Sequence, residues 1–138
     1  KAIILLLGMG FMSKQTLQLH STVLSIHSLA LDADIPPALL KQPLFFISKT
    51  HDELSVVCPD DFIIDSQDTE SNWQALEVIG PLGFSLTGIM ANISGVLARA
   101  GVSIFSISTY DTDYILVKKQ TVNKAMAALR ADGYNVVT

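Results

Sequence analysis

The sequence predicts an α+β fold in which two helices lie on one face of an antiparallel sheet. Two observations carry that expectation. Apolar residues recur at three- and four-residue spacing in two stretches, Ile89, Ile93, Val96, Leu97 and Ala100, then Val122, Ala125, Met126 and Leu129, as amphipathic helices require. Around them lie short runs of β-formers punctuated by Gly, Pro and Asp, and two of these runs are separated only by Tyr110-Asp111-Thr112, short enough to force antiparallel neighbours.

Composition sets the outer limits. With 138 residues, 49% hydrophobic and 16% charged, the chain can bury one ordinary core or two small ones, and it is too apolar for disorder. A net charge of -4 and a pI near 5.1 have the wrong sign for a phosphate-backbone binder, so no nucleic-acid partner is expected. Cys58 is the single cysteine, which rules out an internal disulfide and fits a reducing, cytoplasmic setting.

Taken in order, residues 1–12 pair one Lys with an apolar run. The run is too short to span a membrane and lacks a small-residue cleavage site, so it reads as a leader or expression-derived segment, and no membrane partner is expected. Leu17 to Leu31 is rich in β-formers with polar residues between, which predicts one long bent strand or a hairpin. Pro36-Pro37 starts a short helix at Ala38-Leu39-Leu40. Leu44 to Ser48 and Glu53 to Val57 flank the polar turn Lys49-Thr50-His51-Asp52 as a β-hairpin.

Residues 62–72 read as an acidic linker. The charge splits there: residues 1–72 carry four Lys against nine acids, a balance of -5, and residues 73–138 carry five bases against four acids, or +1. Beyond it, Trp73 to Ile79 is a strand stopped by Gly80-Pro81-Leu82-Gly83, and Thr87 caps a helix from about Gly88 to Ala100 that Gly101 ends. Val102 to Thr109 and Asp113 to Lys119 are strands. Thr121 caps a second helix, Gly133 stops it, and Tyr134 to Val137 is the last strand. The order βαββαβ is the ferredoxin-like arrangement. The first half repeats its opening βαββ with a weak helix, an incomplete copy that borrows a strand.

The chemistry-bearing residues are few. His20 and His27 have opposite strand parity, so they do not share a metal, and Cys58 at a strand end reads as a small buried hydrophobe. No catalytic dyad, metal site or cofactor is expected. The glycine-rich segment from Gly80 to Gly88 lacks the Gly-Lys-Ser/Thr ending of a phosphate loop and the dinucleotide glycine spacing. One carboxylate fits better. The helix opening at Gly88 offers free backbone N–H groups, Ser85 and Thr87 add hydroxyls, and Asp111 and Asp113 on the neighbouring strand pair supply negative charge for an ammonium. Turn geometry alone also accounts for the glycines and for Asp111, and an uncovered sheet face would equally serve dimerisation.

The run GIMANISGVLARAGVSIFSISTYDTDYILV, residues 88–117, resembles the ACT domain, a regulatory amino-acid-binding module. It is most similar to the branch found in aspartate kinase regulatory regions and CASTOR arginine sensors, through Leu97-Ala-Arg-Ala-Gly101-Val-Ser-Ile and Ile107-Ser-Thr-Tyr-Asp-Thr-Asp113-Tyr-Ile-Leu-Val117. Residues 16–60, ending in Asp52-Glu-Leu-Ser-Val-Val-Cys-Pro59, resemble a first, diverged unit. The resemblance thus implies two tandem ACT-like units, a diverged one at 13–61 and an ACT domain at 73–138. It implies a ligand at an ACT–ACT interface, contacted by Thr87, Gly88 and Ile89 at the helix start, Ser103 and Ile104 on the following strand, and Asp113 as the ammonium or side-chain partner. The implied function is a non-enzymatic amino-acid sensor, a homodimer regulating a separate protein; the alternative is a ligand-free dimerisation or protein-interaction module.

Overall fold

A computed structural model of the chain describes residues 14–80 and 87–138. The element order is β1 (Thr16–Leu19), β2 (Leu24–Leu29), a 3₁₀ turn (Pro37–Lys41), β3 (Phe46–Lys49), β4 (Leu54–Pro59), β5 (Asp68–Gly80), α1 (Thr87–Arg99), β6 (Ile104–Ser108), β7 (Asp113–Lys118), a second 3₁₀ turn (Lys119–Thr121), α2 (Val122–Ala131) and β8 (Asn135–Val137). The second half thus follows the βαββαβ order. The leader at 1–12 lies outside the described residues.

Strand β5 is the spine. One of its edges pairs with β7 from Trp73↔Lys118 to Glu77↔Tyr114. The other edge pairs first with β2 (His27↔Thr69, Leu24↔Trp73) and then with β1 (Leu19↔Leu76, Leu17↔Val78). The segment from Leu17 to Leu29 is therefore one long, interrupted strand laid along β5. Within the β2 stretch, between Ile26↔Glu70 and Leu24↔Trp73, β5 carries a bulge, where Asn72 takes a positive φ of 68°, a conformation Asn tolerates better than most residues. Lys118 ties the bulge down: its Nζ donates to the Ser71 carbonyl at 2.9 Å and to Glu70 Oε1 at 3.1 Å, and it lies 4.7 Å from the Trp73 ring centroid. Residues 68–72 of the acidic segment are accordingly strand, with their side of the ladder completed by β2.

The first half, expected to borrow a strand, lends one instead. β1 sits between β5 and β8, and its pairing with β8 is parallel (Thr16↔Asn135, Leu17↔Val136) while all other pairs among the described residues are antiparallel. The sheet is thus mixed. The reason is steric order: an antiparallel four-strand unit would place β8 directly on β5, but the long N-terminal strand occupies that edge first.

Both helices cover one face. Ile89, Ile93, Val96 and Leu97 of α1 and Val122, Ala125 and Leu129 of α2 pack on Leu17, Leu76, Val78, Ile115, Val117 and Val136. The opposite face carries a second apolar cluster, to which the N-terminal strands contribute. Leu24, Val57, Trp73, Ala75 and Leu116 form this cluster, and Phe46 of β3 meets Tyr114 of β7 edge-on at 5.2 Å. The face that sequence reasoning leaves free for dimerisation is therefore partly covered by the chain's own N-terminal strands, with Phe105, Ile107 and Tyr114 half-buried. A third cluster, Leu29, Leu39, Leu54, Val56 and Cys58, lies under the 3₁₀ turn. The expected hairpin forms as β3–β4, with Ser48↔Ser55 and Phe46↔Val57.

Both helices end in the same device. Gly101 (φ 75°) and Gly133 (φ 100°) take the left-handed conformation open to glycine. The bonds Val102 N–H to Leu97 O at 2.9 Å and Gly101 N–H to Ala98 O at 3.0 Å close α1, and Tyr134 to Leu129 at 3.1 Å and Gly133 to Arg130 at 3.0 Å close α2, each pair a Schellman motif. The expected Thr121 cap is absent: a 3₁₀ turn enters α2, and Thr121 Oγ1 donates instead to the Lys118 carbonyl at 2.9 Å.

Candidate functional site

The opening of α1 borders a cavity of about 320 Å³ lined by Lys14, Gln15, Gly88, Ile89, Asn92 and Tyr134. Each wall has a local cause. Lys14 and Gln15 arrive with the inserted strand β1. Asn92 sits four residues after Gly88, so it lies one helical turn further along the same side of α1. The Schellman turn at Gly133 swings Tyr134 back, where its ring is buried in the helix-side core. No acid occupies the first turn of α1, so the positive end of its dipole is not offset locally.

A polar cluster frames this cavity. Lys14 Nζ donates to Asp132 Oδ2 at 2.6 Å, and Asn92 Nδ2 donates to the same oxygen at 3.0 Å and to the Tyr134 hydroxyl at 2.5 Å. Lys14 Nζ also stands 5.2 Å from the Tyr134 ring centroid. The hydrogen bond from Lys14, reinforced by that from Asn92, holds the Asp132 carboxyl below its ordinary range. Cation, carboxylate, amide and phenol thus meet beside the opening turn of α1. That set is complementary to a small zwitterion.

Of the residues expected at the site, the structure brings only Gly88 and Ile89 to this cavity. Ser85 lies outside the described residues, as does the side chain of Thr87, the first residue of α1. A Cβ built on Gly88 would meet nothing within 4 Å, so the space above its backbone is open. Ser103 is exposed just before β6, and Ile104, half-buried, opens that strand. Asp113 pairs with Ser108 at the other end of β6, about 13 Å away at the rise of an extended strand. Ser103 and Ile104 therefore do not meet Asp111 and Asp113 within one chain.

Asp113 does not face the cavity lining either. It is buried, and its Oδ1 accepts a 2.5 Å hydrogen bond from Ser108 Oγ. The hairpin tip is built by Thr109 and Thr112, whose backbone and hydroxyl groups bond each other, and Thr112 Oγ1 donates to the Val78 carbonyl at the end of β5. Asp111 is exposed on that tip. The carboxylate that accompanies the helix opening is instead Asp132. Lys14, Asn92, Asp132 and Tyr134 were missing from the sequence reading; Asn92 was findable from its four-residue spacing to Gly88, but the others converge only through the sheet order.

Elsewhere, His20 Nε2 lies 2.8 Å from Glu77 Oε1, and His27 Nδ1 lies 3.1 Å from Ser66 Oγ. Cys58 is buried and free, its thiol pushed up to about 11 by burial and then by Asp60. Among the described residues, no three His, Cys, Asp or Glu side chains gather as a metal site, and no helix is long and apolar enough to cross a membrane.

Comparison with known proteins now identifies the module. The family model for the ACT domain matches residues 68–131. Residues 68–131 are an ACT domain. Over 78 residues the chain is 37% identical to the Bos taurus cytosolic arginine sensor for mTORC1 subunit 1, covering 54% of this chain and 23% of that protein. The Homo sapiens counterpart is 36% identical over 73 residues, covering 52% and 22%. The chain thus spans less than a quarter of the length of these curated relatives.

Among solved structures, the X-ray crystal structure of protein Atu0741 from Agrobacterium tumefaciens superposes with a TM-score of 0.82 at 28% identity, covering 92% of this chain and 96% of that one. The regulatory subunit of aspartate kinase from Thermus flavus shares the fold with a TM-score of 0.59 at 12% identity, covering 86% and 97%. Both halves of the chain together thus share the fold of these structures.

Proposed function

We propose that this protein is a non-enzymatic, cytoplasmic sensor that holds a small amino acid where ACT units meet and regulates a separate protein. The observation that carries the reading is the α1 opening, free of acids, facing a cavity framed by the Lys14–Asp132 pair. A ligand carboxylate would take the Gly88 and Ile89 backbone N–H groups and Lys14, and its ammonium would turn toward Asp132. Relatives named as an arginine sensor and as a kinase regulatory subunit support a regulatory role. Ser103 and Ile104 would reach the ligand from the second protomer of a homodimer, since within one chain they sit at the far end of β6. Ser85, Thr87 and Asp111 complete the proposed interface, which Asp113 would join only by exchanging its Ser108 partner for the ligand ammonium.

Isothermal titration against the twenty amino acids tests the reading. Binding by one or a few of them is expected, and Lys14→Ala should weaken it by about 1–3 kcal/mol, the value of a charge-assisted hydrogen bond. Asp113→Ala decides whether the second carboxylate contributes, with a loss of similar size if it touches the ammonium. Gly88→Ala separates ligand from architecture: the site above Gly88 is empty, so the fold should tolerate the methyl group while the ligand loses its close approach to the backbone. No detectable binding by folded protein would remove the sensor reading and leave a protein-interaction module, to which the fully exposed Tyr110 and the exposed Ile63 offer apolar surface.

A further inference from the structure

The crossover from β4 to β5, residues 60–67, joins the N-terminal strands to the ACT unit, and one side chain holds it from beneath. His27 on β2 stands between Val56 of β4 and Thr69 of β5. It is 7% exposed. Its Nδ1 lies 3.1 Å from Ser66 Oγ and 3.2 Å from Thr69 Oγ1, and those two hydroxyls are 2.9 Å apart, closing a triangle. Next to it the Gln67 N–H donates to the Ser28 carbonyl at 2.7 Å. The other ring nitrogen, Nε2, is buried without a hydrogen-bond partner.

We infer that His27 is an acid-sensitive latch that pins the 60–67 crossover onto β2 while its imidazole is neutral. A neutral ring can exchange one hydrogen bond with the two hydroxyls and leave Nε2 against apolar neighbours. An imidazolium has an N–H donor at both nitrogens, so its Nε2–H would be charged, buried and unpaired, which is costly. Hydrating it requires the ring to leave its place, and with it goes the tie to Ser66 and Thr69.

The surroundings offer little to offset that charge. By strand alternation His27 shares the face of Leu29, Leu54, Val56 and Cys58, which packs against Leu39 of the 3₁₀ turn and against Phe62 and Ile64 of the crossover. Cys58 is a neutral thiol throughout this range. Asp68 and Glu70 flank Thr69 and project from the opposite face of β5. Asp60 favours the cation, but it is engaged by Ser25 Oγ at 2.5 Å, and burial outweighs it, lowering the His27 pKa. Because the folded chain binds this proton less readily than the unfolded chain, whose imidazole titrates near 6.5, stability is held above that pH and is lost as pH falls below it.

The test uses the whole chain. Proton NMR follows the imidazole signals of His20, His27 and His51 through a pH titration, and amide hydrogen exchange, corrected for intrinsic rate, is mapped at about pH 7.5 and about pH 5.5. His27 is expected to titrate below 6.5, with residues 60–67 losing protection at the lower pH while β7 keeps it. His27→Gln should lower the urea midpoint at neutral pH yet flatten its dependence on pH over this range. A His27 titration at or above 6.5, equal protection of 60–67 at both pH values, or a wild-type pH slope retained in the variant would each overturn the inference. If the variant does not fold, the titration and exchange map of the wild type decide alone.

Discussion

Leu17→Ala tests the central claim about architecture, that a strand from the N-terminal half is a structural member of the ACT unit. Leu17 is fully buried, on β1, between Val78 of β5 and Val136 of β8 and beneath both helices. Truncation removes three carbon atoms, about 2.4 kcal/mol at roughly 0.8 per buried methylene. The cavity left behind raises the cost to about 2–5 kcal/mol, since flanking strands hydrogen-bonded on both sides limit collapse. With a urea slope of about 1–3 kcal/mol/M, the midpoint should fall by about 1–2 M without a change of slope. Trp73, the single tryptophan, packs in the cluster on the other face of the sheet and reports the transition by fluorescence. If the halves are one cooperative body, Trp73 and far-ultraviolet circular dichroism shift together. A loss under about 1 kcal/mol, or a helix transition that moves while Trp73 does not, would refute the reasoning. Leu40→Ala, 63% exposed on the 3₁₀ turn, is the control and should stay within about 0.5 kcal/mol.

Other outcomes follow from single contacts. Gly101→Ala should cost about 1–2 kcal/mol by thermal unfolding, although a Cβ there would meet only Lys124 Nζ at 3.9 Å, because the strain lies in the φ of 75° and not in crowding. Cys58, buried and with its thiol raised to about 11, should resist alkylation at pH 8 in the native protein and react quickly in urea; rapid native labelling would contradict its burial. Lys14→Ala should raise the Asp132 titration toward the ordinary carboxylate value, seen by carboxyl carbon NMR. The depressed value in the wild type means the pair contributes above the unfolded pKa and fades as acid protonates Asp132; an unmoved titration in the variant would show that Asn92 alone sets it.

Much of this fold was legible because its signals are local. Helical spacing from Ile89 to Leu97 and from Val122 to Leu129, the stops at Gly101 and Gly133, and the short turn at Tyr110–Thr112 each depend on residues within one turn or hairpin of one another. The bulge at Asn72 was less so. An acidic stretch without bases looks like a linker, yet its Asp68, Thr69 and Glu70 find ladder partners in β2 some forty residues earlier. The Thr121 cap failed for a similar reason: a hydroxyl can bond several nearby backbone groups, and here the 3₁₀ entry turned it to Lys118.

The candidate site divides along the same line. Gly88 and Ile89 could be placed at a helix opening from sequence, since caps and glycines mark such ends. Asp113 was assigned to the ammonium by topology, but a hydroxyl five residues away, Ser108, already takes its carboxylate.

What the amino-acid order determined alone was the set of elements and the ACT character of the second half, because periodicity, turn chemistry and motif are written within short windows. Only the tertiary structure decided that β1 wedges between β5 and β8, that the N-terminal strands partly cover the sheet's second face, and that Lys14 meets Asp132 across 118 positions. Strand pairing and side-chain convergence are set by which distant edges and faces can be buried together. That is a property of the packed whole, and no short stretch of residues encodes it.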